Sequence, residues 1–169
     1  MGYSTDFIGH FSLDRPLTPE HAAYLTKFAE TRRMKRNAIM LENYNVPDPV
    51  RWAVDLEVGV EGAYFVGGTG DFGQGDDPSV LDHNIPPLGQ PGLWCQWVPT
   101  QNLKGIEWDG GEKFYDYVEW LNYIIAHFLK PWGYVLNGKV RWEGEDREDM
   151  GTIWVNDNVV LTKQAVIDW

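Results

Sequence analysis

The sequence of 169 residues holds a single cysteine, Cys95, so no internal disulfide can staple the fold and the core must hold by burial alone. No stretch approaches the roughly 18 unbroken apolar residues that a membrane-spanning helix needs. Bases are scarce as well, 14 against 25 acids, for a formal net charge of −11. That field repels nucleic-acid phosphate and anionic membrane at long range. The expectation is therefore no direct nucleic-acid or membrane binding, and partners that are basic proteins or small molecules. The start, Met1 to Asp6, shows neither a basic stretch before an apolar run nor the hydroxyl at position six of a myristoylation signal, and with one cysteine the expected compartment is a reducing cytoplasm. No repeat of fixed period and no low-complexity tract is present.

Catalytic patterns are missing too. His10, His21, His83 and His127 form no His-x-x-x-His pair, and Ser4, Ser12 and Ser79 lack a nucleophile elbow. Cys95 sits between tryptophans in a strand-like run, where a thiol is an inert small hydrophobe. The expectation is no catalytic residue, no metal and no cofactor.

What is present is a globular composition, 43% hydrophobic and 14% aromatic with nine tryptophans. Phe7, Phe11 and Leu13 alternate with Asp6, His10 and Ser12, which predicts a half-buried strand. Thr18-Pro19-Glu20 is a helix start, with a hydroxyl N-cap, a proline in the first turn and an acid at the positive end. The apolar stripe Ala22, Leu25, Phe28 and Ala29 predicts a helix from about Pro19 to about Arg36, a span that brings Arg32 and Arg36 onto the stripe. Pro47-Asp48-Pro49 predicts a short helix through Val54, and Ala63 to Val66 a strand. Gly67 to Gly92 is rich in Gly, Pro, Asp and Asn and reads as one long loop insertion.

Leu93 to Val98 and Leu103 to Trp108 predict a hairpin. Asp109 is the expected cap of a helix whose apolar positions run from Phe114 to Phe128, ended by Pro131 and Gly133. Asn137-Gly138 predicts a type I′ turn between Tyr134–Leu136 and Lys139–Trp142. Gly151–Val155 and Val159–Thr162 pair around Asn156-Asp157-Asn158. The fold expected is a single α+β domain over 1–169, with an antiparallel or mixed sheet, two main helices on one face and the 67–92 loop.

Several groups could carry a contact. Gly68-Thr69-Gly70-Asp71-Phe72-Gly73 spells a dinucleotide fingerprint, but the acids and proline after it cannot supply the helix that the chemistry requires. Arg32, Arg33 and Arg36 belong to a basic cluster that either pairs structurally or presents guanidinium forks to an anion. Trp94, Trp97 and Trp108 offer rings that pack in the core or stack on a base. Together these six form the expected site for a nucleotide-like ligand. Glu143, Glu145, Asp146, Glu148 and Asp149 crowd one strand-to-strand loop without calcium-loop spacing, so they are expected to be solvated or to meet a basic partner.

Gly2-Tyr3 before the first strand, Arg32 to Arg36, Pro91 to Trp97, Glu107 to Phe114, and Leu136-Asn137-Gly138 through Trp142 to Asp146 together resemble a family of small proteins encoded by bacteria and their phages. The resemblance spans nearly the whole chain. It implies an origin and carries no activity, cofactor or catalytic residue.

The function expected is thus a non-enzymatic binding protein of phage or prophage type. It would engage a host protein in an inhibitory or anti-defence role, or sequester a small nucleotide-like ligand. One alternative is a hydrolase or transferase using Glu107, Glu112 and His127. The other is a structural or assembly component of a virion.

Overall fold

The computed structural model describes residues 2–42, 56–67 and 78–165, and the chain forms two compact units, one of Thr18–Cys95 and one of Met1–Leu17 together with Gln96–Trp169. In chain order, strand β1 (Thr5–Leu13) is followed by helix α1 (Pro19–Glu30), strand β2 (Lys35–Arg36), helix α2 (Ala38–Glu42), a 3₁₀ turn at Val60–Gly62 and strand β3 (Val80–Asp82). Then come strands β4 (Trp97–Pro99) and β5 (Gly105–Trp108), helix α3 (Tyr117–Ile124) running into a π-helical turn at Ile125–Leu129, and strands β6 (Leu136–Gly144), β7 (Met150–Asn156) and β8 (Val159–Gln164). The first fingerprint glycines, Gly68 to Gly73, and the segment Pro47 to Val54 lie outside the described residues.

The unit that holds β1 is built on one six-stranded sheet, ordered β4-β5-β1-β6-β7-β8, with every neighbouring pair antiparallel. The fold is α+β. Strand β1 pairs with β6 along its whole length, from Thr5 opposite Gly144 to Leu13 opposite Leu136. Its inward residues Phe7, Phe11 and Leu13 are buried, together with Val140 and Trp142 of β6 and Ile153 and Val155 of β7. Aromatic rings fill this side: Phe7 meets Trp97 at 5.3 Å and Tyr117 at 4.9 Å, edge to face in both cases. Such pairs add stabilisation beyond the area they bury.

Three expectations about this unit are corrected. The Asn137-Gly138 dipeptide is not a turn: it lies inside β6, where Gly138 pairs with Phe11 on one side and Val155 on the other. Its φ of 133° and the crowding a Cβ would meet from the backbone of His10 and Phe11 explain the glycine. The other hairpin expected, around Asn156-Asp157-Asn158, is present, with Asp157 and Asn158 at φ of 46° and 68° between Asn156 and Val159. Asp109 does not cap the long helix. Its carboxylate accepts the Gly111 amide at 2.7 Å, and α3 begins only after Asp116, at φ 57°. The first hairpin is shorter than its apolar pattern, with Leu103 in the connecting loop at φ 63°.

In the other unit, α1 starts as its capping residues require. The Thr18 hydroxyl accepts the His21 amide at 3.2 Å, and Pro19 opens the helix. It ends at Glu30 rather than Arg36, because the Thr31 hydroxyl donates back to the Lys27 carbonyl at 2.7 Å and the backbone turns extended there. Residues five apart do not face each other on an α-helix. Leaving helical geometry lets Arg33 fold over the Phe28 ring, 4.1 Å from its centroid. The Ala63 to Val66 segment is not a strand: the carbonyls of Ala63 and Phe65 accept from Arg33 instead of a neighbouring strand. Within the expected 67–92 loop, β3 pairs antiparallel with β2.

Candidate functional site

The six residues expected around a nucleotide divide between the units: Arg32, Arg33, Arg36 and Trp94 belong to one, Trp97 and Trp108 to the other. The three arginines make hydrogen bonds within their own unit. Arg33 is buried and donates to the carbonyls of Phe65 and Ala63 at 2.7 Å each, and to Gln90 Oε1 at 3.2 Å. Arg36, also buried, donates to Ser79 Oγ at 2.8 Å and lies over the Phe65 ring. Arg32 is half-buried and holds the His83 carbonyl at 3.0 Å and Asn84 Oδ1 at 3.2 Å. Burial thus falls on Arg33 and Arg36, where helical spacing pointed to Arg32 and Arg36.

Trp97 is a core ring whose indole donates to the Tyr117 carbonyl at 2.8 Å. Trp108, its partner across the strand pair, is half-buried, with its indole shared between Gln96 Oε1 and the Gly111 carbonyl. Trp94 is half-buried.

The acidic loop is tied to the start of the chain. Asp149 accepts the Tyr3 hydroxyl at 2.7 Å on one oxygen and the Trp142 indole at 2.9 Å on the other. Glu145 accepts the Ser4 amide at 2.7 Å, and the Asp146 amide donates to the Tyr3 hydroxyl. Glu143 pairs with Arg141 at 3.4 Å. Glu145, Asp146 and Glu148 are exposed. On Tyr3, the Asp146 amide favours the phenolate, but the bond to Asp149, desolvation and the two carboxylate charges outweigh it and raise the pKa. Tyr117 is pushed up to about 12 by desolvation first, then by the charges of Asp149 and Glu119 and by Tyr3.

The residues proposed for catalysis sit on separate elements. Glu107 is on β5, Glu112 lies in the loop after it, and His127 is in the π-helical turn, stacked 4.1 Å from Tyr123 with its pKa lowered by burial. Among the described residues no group of three His, Cys, Asp or Glu side chains could hold a metal ion, and no helix is long and apolar enough to cross a membrane.

A different surface emerges from the register. Residues that alternate away from the core align across the sheet: His10 stands opposite Lys139, Lys139 opposite Trp154, and Trp154 opposite Leu161. The next row runs Ile8, Arg141, Thr152 and Lys163. Trp154 is 39% exposed, Ile8 52%, Leu161 57% and Val159 58%. Large apolar side chains left to solvent on one sheet face, framed by Lys139, Arg141 and Lys163, have the composition of an interface centre.

Two depressions mark this face. One, of about 500 Å³, is lined by Gly138, Lys139, Trp154, Asn156 and Leu161. The other, of about 690 Å³, is lined by His10, Ser12, Thr100, Asn102, Lys104 and Glu107. Gly105 forms part of the wall, where a Cβ would run into the Phe11 carbonyl.

No family model, no curated protein and no solved structure matches this chain.

Of this surface, only the outward set Asp6, His10 and Ser12 was visible in the alternation of β1. The rest needed the strand order, since His10 and Lys139 are far apart in sequence and adjacent only through pairing.

Proposed function

We propose that this protein is a non-enzymatic binding protein of phage or prophage type, whose outer sheet face engages a host protein in the bacterial cytoplasm. The observation that carries the reading is the row His10–Lys139–Trp154–Leu161, an exposed indole and aliphatic side chain beside a cation on adjoining strands. Burying Trp154 and Leu161 against a partner removes apolar surface from water, and indole rings are enriched among residues that dominate binding energy. Lys139, Arg141 and Lys163 then call for an acidic patch on the partner's central surface. The exposed Glu145, Asp146 and Glu148 call for basic groups at its edge.

The protein reading is favoured over a nucleotide held by the arginine cluster. Arg33 gives its guanidinium donors to carbonyls and an amide oxygen of its own unit, and Arg36, buried in the same unit, donates to the Ser79 hydroxyl.

A photo-crosslinking amino acid at position 154, with position 115 as an exposed control, tests the proposal in infected or expressing cells. The expected result is one host protein captured from 154 and not from 115, and lost when Lys139 and Arg141 are both changed to Glu. Capture that is equal from both positions, or indifferent to the charge reversal, contradicts it.

A further inference from the structure

We infer that the 690 Å³ cleft between β1 and the β4–β5 hairpin binds a small polyhydroxylated ligand carrying one anionic group, of the sugar-phosphate class. This site shares His10 with the row that runs to Trp154 but takes its other lining residues from β1 and the β4–β5 hairpin, and it does not depend on the protein-binding reading.

The lining selects the ligand. Its volume lies in the range of small-molecule sites, roughly 300–1,000 Å³. Lys104 supplies an ammonium that suits one anionic group through charge-assisted hydrogen bonds, and His10, beside Glu107 in the β1–β5 register, supplies a ring N–H for a further acceptor. Ser12 and Gln101 can each donate and accept, and the Thr100 hydroxyl, whose proton goes to Asn102, can accept, as a ligand rich in hydroxyls requires. Glu107 is acceptor-only when ionised, so it pairs with hydroxyl donors and disfavours a second anionic group at its end of the cleft. Among the described residues no tryptophan, tyrosine or phenylalanine lines the cleft, so none of them offers the stacking platform a nucleobase would use. A single carboxylate cannot build the oxygen cage of a hard cation.

The cleft is also held in shape. Leu103 adopts φ 63°, a conformation costly for a leucine. It is fixed by its amide donating to the Thr100 carbonyl at 2.9 Å and its carbonyl accepting the Leu17 amide at 2.8 Å. Asn102 Oδ1 accepts both the Thr100 hydroxyl at 2.7 Å and the Lys104 amide at 3.0 Å. The hairpin loop thus presents Thr100 and Lys104 from a fixed backbone, the pre-organisation that lowers the ordering cost of binding.

The test is an NMR titration of the full chain with glucose 6-phosphate, following the His10 ring and the amides of residues 100–107, with glucose alone and inorganic phosphate alone as comparators. The expected result is saturable shifts confined to these signals, at least about tenfold weaker with either comparator, and an affinity about tenfold lower in Lys104→Met, the loss of one charge-assisted contact. Trp154→Ala should bind the sugar phosphate unchanged. Absence of saturable shifts at about 10 mM ligand overturns the inference, as does phosphate alone binding as tightly, or Lys104→Met binding equally well. Ser12→Ala, which alters no charge, gives a second variant and should weaken glucose 6-phosphate more than it weakens phosphate.

Discussion

His10 on β1 and Lys139 on β6 stand directly opposite each other on the outer side of the sheet, and through them the cleft beside β5 adjoins the apolar depression around Trp154. This pair joins two chemically distinct surfaces that the chain order keeps far apart. One is polar and of mixed charge; the other carries an indole and a leucine between cations.

Trp154→Ala should separate binding from stability. The ring is 39% exposed on an otherwise solvent-facing row, so denaturant unfolding should shift by less than about 1 kcal/mol. Partner affinity, measured by calorimetry, should fall by a factor of about 30 or more, the loss of a hot-spot aromatic. A large stability loss with unchanged affinity would place the ring in the core instead.

Asp149 should matter to folding rather than to contact. Both of its oxygens are engaged, by Tyr3 and Trp142, so Asp149→Ala leaves two donors without their acceptor and should cost about 1–3 kcal/mol in urea unfolding. Tyr3→Phe should cost less, about 0.5–1.5 kcal/mol. The double variant should show coupling between the two, because they share one hydrogen bond. Strict additivity would contradict a stabilising bond between Tyr3 and Asp149.

Arg33→Met should lower the melting temperature sharply. The Phe65 carbonyl and the amide oxygen of Gln90 lose their guanidinium donors, while the Ala63 carbonyl keeps the Gln90 side-chain amide, and each buried group left unsatisfied costs about 1–3 kcal/mol. Arg33→Lys should fail to restore the wild-type value, since an ammonium cannot reproduce the planar fork.

Tyr117 gives a signed pH dependence. Its folded pKa is pushed up from 10 to about 12 by desolvation and by nearby negative charge. The unfolded chain ionises this phenol first, so its contribution to stability is complete below pH 10 and is lost as pH rises from 10 toward 12. Unfolding experiments across that window should show a decline that Tyr117→Phe flattens. For His127, burial lowers the pKa below 6.5, so stability falls as pH drops through 6.5 and below, and His127→Gln should blunt that loss.

Much of the fold is legible in local signals. The alternation of β1, the Thr18-Pro19 start of α1 and the Asp157-Asn158 turn all depend on residues within a few positions of one another. What is not legible depends on distant partners. Asn137-Gly138 satisfies the local chemistry of a turn, yet β1 claims that stretch as a strand, and Asn137 instead braces the true turn, donating to Asp157 Oδ1 at 3.0 Å and accepting the Asp157 amide at 2.8 Å. Arg33 could not be told from Arg32 as the second buried cation beside Arg36, because its acceptors lie some 30 residues ahead in irregular backbone. The binding row is a product of register, and no spacing within one strand reveals it.

The central claim is that the outer sheet face is the contact surface. Its most direct test is calorimetric titration of the host protein captured at position 154 into the wild-type chain and into the Lys139→Glu, Arg141→Glu double variant at two salt concentrations. The account predicts tight binding by the wild type that weakens with salt, and at least about a hundredfold loss on charge reversal, the scale of two like-charge contacts replacing two complementary ones. Equal affinity for both proteins would contradict it.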